Sequence, residues 1–130
     1  MFTDPSAYRP TVERVLFDSV AVPQRSLLQV ARAGGRLPYW RKAGLLVRAN
    51  TRDVTISVPL AWRTRVAITW GDSGVVSSLR VAACATHRWN VYTGGFYVRR
   101  PACVPLDIRV DTRTTRVRFG IGRACVRSTR

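Results

Sequence analysis

The residues of this chain with chemical potential are Ser73 within Gly71-Asp72-Ser73-Gly74, the single histidine His87, the cysteines Cys84, Cys103 and Cys125, and a large surplus of arginine. A serine in such a run can act as a nucleophile only if a base reaches its hydroxyl. His87 lies downstream and no Asp–His pair suits it, so Gly71–74 reads as a turn. Cysteines this far apart give no CxxC-type zinc spacing, and neither metal nor cofactor is expected. After residue 50 the only carboxylates are Asp53, Asp72, Asp107 and Asp111, a poor supply for paired acid–base chemistry. A non-enzymatic protein is the expectation, with a hydrolase in third place.

The cysteines suggest crosslinking instead. Cys84 and Cys103 bracket a cluster of aromatics, and a bond between them would close a loop of about twenty residues, worth roughly 3 kcal/mol. Cys103–Cys125 is the rival pairing, and three buried reduced cysteines are the plain alternative. A disulfide implies an oxidising compartment. No signal peptide is visible, because Asp4, Glu13, Asp18 and several arginines occupy the place of an apolar core. The expectation is nevertheless an extracytoplasmic protein whose true start lies elsewhere, with Cys125 left unpaired. No run of 18 apolar residues offers a membrane span.

Charge narrows the choice of partner. The chain has 22 basic and 7 acidic residues, net +15, and Lys42 is the single lysine. GC-rich coding accounts for arginine over lysine but not for scarce Asp and Glu. Such a surplus suits nucleic acid, anionic lipid or an acidic polymer; the plain alternative is a solvated surface that keeps the protein soluble.

The elements that must position these residues are mostly strands. Residues 1–38 are broken by Pro5, Pro10, Pro23 and Pro38. They read as an arm with one short helix over 23–33, where Leu27, Leu28, Val30 and Ala31 form a stripe closed by Gly34-Gly35. Residues 39–126 form the domain proper, and 127–130 a basic tail. From Leu45 the period is two: Val54, Ile56 and Val58 form one strand, and Val66, Ile68 and Trp70 its partner. A further strand carries Leu79, Val81 and Ala83 inward and Arg80 outward. A two-residue turn at Gly94-Gly95 would fold the stretch around it, with Thr93 facing Phe96 and Val91 facing Val98, into a hairpin. It sets Tyr92 opposite Tyr97 and Asn90 opposite Arg99, with Trp89, Val91, Phe96 and Val98 in the core. A last hairpin joins 104–110 to 115–121 through Asp111-Thr112-Arg113-Thr114. Its core face is Val104, Leu106, Ile108, Val117, Phe119 and Ile121. Its outer face sets Asp107 opposite Arg118 and Arg109 opposite Arg116. About seven short strands at this spacing predict an all-β antiparallel sandwich, Ig-like or jelly-roll-like.

Two candidate binding surfaces follow. Tyr92 and Tyr97, flanked by Asn90 and Arg99, could stack sugars or bases. Equally, the pair could simply stiffen a hairpin. Arg109 opposite Arg116 is unfavourable across a ladder, and with Arg118 and Arg65 it could form a basic face for an anionic ligand. Charge reversal of Arg109 and Arg116 tests that face through heparin or polyphosphate retention.

Over residues 39–125 the motifs Tyr39-Trp40-Arg41-Lys42, Val54-Thr55-Ile56-Ser57-Val58-Pro59, Ala67-Ile68-Thr69-Trp70-Gly71, Val76-Ser77-Ser78-Leu79-Arg80, Trp89-Asn90-Val91-Tyr92, Gly94-Gly95-Phe96-Tyr97, Cys103-Val104-Pro105-Leu106 and Arg118-Phe119-Gly120-Ile121-Gly122-Arg123 recur in order. In this the chain resembles a group of uncharacterised small β-domain proteins of high-GC Gram-positive bacteria. The resemblance implies export and an extracytoplasmic β domain, and it supplies no activity or site. The expected function is a non-enzymatic domain that is structural or binds an anionic or glycan surface component. A nucleic-acid-binding module is the alternative.

Overall fold

A computed structural model describes residues 14–17, 19–23, 26–82 and 88–126. Cys84, His87, Ala83 and the tail 127–130 lie outside the described residues. Within them every regular element is a strand, apart from one 3-10 turn at Leu60–Trp62. The chain is all-β.

Strands numbered in chain order form three sheets. The first runs β1-β2-β6-β10, from β1 (Arg14–Leu16), β2 (Val20–Val22), β6 (Leu45–Arg48) and β10 (Trp89–Tyr92). The second runs β4-β5-β11-β8, from β4 (Ala31–Arg32), β5 (Tyr39–Lys42), β11 (Gly94–Val98) and β8 (Val66–Trp70). The third has five strands in the order β3-β13-β12-β7-β9: β3 (Ser26–Leu27), β13 (Arg113–Ile121), β12 (Ala102–Val110), β7 (Val54–Ser57) and β9 (Ser78–Val81). Pairing is antiparallel except between β3 and β13.

Period-two alternation determines which side chains enter the core. Val54, Ile56 and Val58 are buried, as are Val66, Ile68 and Trp70, and Leu79 and Val81. All three sheets contribute to one main core cluster. Phe96 lies at its centre, edge-on to Trp70 at 5.5 Å and tilted against Phe119 at 5.3 Å. The Trp70 indole N–H is buried and donates to the Ala43 carbonyl oxygen at 2.8 Å, which satisfies its polar end. A smaller cluster of Ala21, Leu46 and Trp89 packs on the other side of the first sheet.

Several expectations are corrected. There are more than about seven strands, because residues 14–32 are sheet-forming. No helix spans 23–33; β3 pairs with β13 and β4 with β5 there. Leu27 is buried and Val30 half-buried against the core, whereas Leu28 is 53 % exposed and Ala31 is exposed, so the four do not share one buried helical face. Edge pairing supplies the backbone hydrogen bonds instead. Val54–Ser57 and Val66–Trp70 are not partners, since they lie in different sheets.

Gly94-Gly95 is not a turn. Both glycines lie inside β11, between β5 and β8, while the preceding β10 pairs with β6. A Cβ at Gly94 would lie 1.7 Å from the Thr69 carbonyl oxygen, and one at Gly95 2.0 Å from that of Arg41. The neighbouring backbones approach too closely for a side chain. The last hairpin turns at Asp111-Thr112 rather than over four residues, with Asp111 at φ 57°. That slides the register by two residues, so Asp107 opposes Arg116 and Arg109 opposes Thr114. A slip of two preserves the faces, and the six expected core residues are all buried. Finally, the disulfide joins Cys103 to Cys125, so Cys103 is not available to Cys84.

Candidate functional site

The strands of the second sheet carry no carboxylate, and the one acid at their ends among the described residues is Asp72 in the turn after β8. The carboxylates among the described residues are Asp53, Asp72, Asp107 and Asp111. Asp53 accepts from Arg80 at 3.1 Å and Asp107 from Arg116 at 2.7 and 3.1 Å. Both pairs lie on the third sheet, Asp111 in its β12–β13 turn and Asp72 in the turn after β8. Residues 26–48, 60–71 and 88–106 contain no acid. They supply β4, β5, β8 and β11, with Arg36, Lys42, Arg65, Arg99 and Arg100 exposed around them.

A cleft of about 350 Å³ opens at one end of this sheet, where Trp62, Arg65, Arg99 and Arg100 stand over Pro101 and Ala102. The 3-10 turn creates its first wall. Just past it the Arg65 amide donates to the Trp62 carbonyl oxygen at 2.9 Å, and this turn brings Arg65 back onto Trp62. The Arg65 guanidinium lies 4.0 Å from the Trp62 ring centre and donates to the Ala61 carbonyl oxygen at 3.3 Å. Stacking plus a backbone acceptor restrains a side chain that otherwise has many rotamers. Arg99 comes from the neighbouring strand: its amide donates to the Arg65 carbonyl oxygen at 2.9 Å, one step past the β8–β11 ladder. Arg36 donates to the Thr64 carbonyl oxygen at 3.3 Å, adding a further cation beside the same turn. Such an arrangement can take up a carboxylate, sulfate or phosphate.

On the outer face of the sheet the register sets Ala31, Trp40, Tyr97 and Ala67 in one row. Phe96 and Val98 point to the core, so Tyr97 and Arg99 share the outer face. Trp40 and Tyr97 are half-buried neighbours with ring centres 4.6 Å apart and planes at 38°. The adjoining row is Lys42, Gly95 and Thr69, where Gly95 is buried against the neighbouring backbone.

Of the residues expected to bind, Tyr97 and Arg99 share the outer face of the second sheet with Arg65 at its end, and Arg109 and Arg116 share one face of the third. Tyr92 belongs to the first sheet, packs against the core and donates from its hydroxyl to the Ala82 carbonyl oxygen. Asn90 is fully buried and donates to the Val47 carbonyl oxygen at 3.3 Å, so it flanks no surface pair. Arg109 and Arg116 lie on the third sheet, not opposite one another. The hydrogen bond and charge of Asp107 push the Arg116 guanidinium further above its ordinary range. Arg65 lies on the second sheet, away from that face. Sequence reasoning missed Trp40, Trp62 and Arg100. One signal was present: Trp62 and Arg65 have the i, i+3 spacing that a 3-10 turn brings together.

At Gly71–74 the Ser73 hydroxyl donates to the Gly74 carbonyl oxygen at 2.8 Å, and Gly71 and Gly74 have φ of 64° and 73°, as a turn requires. No group of three or more His, Cys, Asp or Glu that could hold a metal ion occurs among the described residues. None of their helical segments is long and apolar enough to cross a membrane. Compared with known proteins, the chain matches no family model, and neither a curated protein nor a solved structure is significantly similar to it.

Proposed function

We propose that this chain is a non-enzymatic, sandwich-like β domain that works outside the cytoplasm and binds an anionic or glycan surface polymer through its second sheet. The observation that carries this reading is charge segregation. Arg65, Arg99 and Arg100 converge on one cleft whose lining has no carboxylate, while Asp53 and Asp107 accept from arginines of another sheet. Low-salt attraction to a polyanion follows from such a field. The Cys103–Cys125 bond supports an oxidising compartment.

Charge reversal of Arg65 and Arg99 together is expected to lower the salt needed for elution from immobilised heparin far more than reversal of Arg80 and Arg116. Both double variants change net charge equally. Equal losses would mean that only global charge matters and would remove the site.

A nucleic acid is the second reading, favoured by the half-buried Trp40–Tyr97 pair on a sheet flanked by exposed cations, since stacking plus backbone charge suits single strands. It requires single-stranded DNA to displace the protein from heparin at equal phosphate and sulfate charge.

A further inference from the structure

We infer that the ligand unit is a sugar ring that carries its own carboxylate, stacked on Trp40–Tyr97 with its acid group held by Arg99 and Arg65. This rests on the anionic-polymer reading and names the chemistry of the polymer. Three placements support it. First, Trp40 and Tyr97 form one aromatic patch on the outer face of the second sheet, with ring centres 4.6 Å apart. Charge alone does not require aromatic rings, whereas the apolar face of a pyranose does. Second, Arg99 follows Tyr97 by two residues, so the two side chains leave the same face of the strand from backbone positions about 7 Å apart. A carboxylate attached directly to a sugar ring stacked on Tyr97 lies within reach of a hydrogen bond from the long Arg99 side chain. A nucleobase is held off its phosphate by an intervening sugar and places the charge further away. Third, the Arg65 guanidinium is already stacked on Trp62, and the Arg65 carbonyl oxygen accepts from the Arg99 amide, so the two residues are backbone neighbours at one end of the sheet. Planar guanidinium groups match carboxylate geometry. Beside the aromatic patch, Lys42 provides a further exposed cation for the next unit of a chain.

The test compares polygalacturonate, polyphosphate matched in charge, neutral dextran and single-stranded DNA on the whole protein by calorimetry. Polygalacturonate is expected to bind at least tenfold more tightly than polyphosphate, and dextran not to bind. Trp40→Ala and Tyr97→Ala should each reduce the polygalacturonate preference by roughly tenfold, the size of one lost stacking contact. Trp40→Phe, which keeps a ring and the fold, should retain most of that preference. In the unaltered protein, galacturonate oligomers should shift the Trp40 indole and Arg99 side-chain NMR signals together. Equal affinity for polygalacturonate and polyphosphate, with no effect of Trp40→Ala, would overturn the sugar assignment and leave the anion site standing. Tighter binding of DNA than of polygalacturonate would overturn it in favour of nucleic acid. Failure of both acidic polymers to bind the unaltered protein would remove both readings.

Discussion

At Gly94 and Gly95 a single methyl group would meet backbone atoms of flanking strands, at 1.7 Å from Thr69 and 2.0 Å from Arg41. No rotamer change relieves a clash with backbone. Gly94→Ala or Gly95→Ala should therefore lose about 3 kcal/mol or more of stability, read as a lower urea midpoint at unchanged slope. Gly44 has nothing within 4 Å of its would-be Cβ, and Gly44→Ala should stay within about 0.5 kcal/mol. The same pair explains why the local reading failed. Two adjacent glycines are a strong hairpin signal, but they are also what a strand needs where neighbours on both sides crowd in. The alternation of Phe96 and Val98 fits either arrangement, so nothing local distinguishes them.

Within the β12–β13 hairpin, the core face was legible while the pairing was not. Side chains repeat every two residues, so a two-residue slip leaves Val104, Leu106, Ile108, Val117, Phe119 and Ile121 inward and changes only cross-strand partners. The clue lay in the charges. The expected register set Arg109 against Arg116, a repulsive pair, whereas the observed one gives Arg116 the Asp107 carboxylate at 2.7 Å. Asp111 tolerates the left-handed conformation that the tighter turn needs. Across the end of this hairpin, Cys103 and Cys125 close a loop with a sequence separation of 22. Cys103→Ser or Cys125→Ser should cost about 3 kcal/mol. With Cys103 and Cys125 joined, thiol titration of the denatured protein should find one reactive group before reduction and three after it. Three before reduction would contradict the pairing.

For the molecule as a whole, the all-β class follows from the period-two runs beyond residue 54. The early strands are two or three residues long, too short to carry a period, and only their edges reveal them as sheet. Charge segregation was half legible: the acid-free stretches are plain in the sequence, but topology alone brings 31–42, 65–70 and 94–100 into one sheet. Because Arg65 and Arg99 are exposed, their contribution to polyanion binding should be strongly salt-dependent. With single-stranded DNA as probe, replacing both by glutamine should lower the slope of log affinity against log salt by about 1.4, two lost contacts at about 0.7 each. An unchanged slope would place the contacts elsewhere.

The Cys103–Cys125 bond also determines how the domain carries mechanical load. A pull on the chain beyond Cys125 passes through sulfur to Cys103, near the start of β12, and bypasses β13. β13 is thus out of the line of force and cannot be unzipped from its end, which keeps the longest hairpin intact while the domain is anchored and tugged. Under optical tweezers the oxidised protein should release roughly 80 Å less chain on full extension than the reduced one, the length of the closed loop.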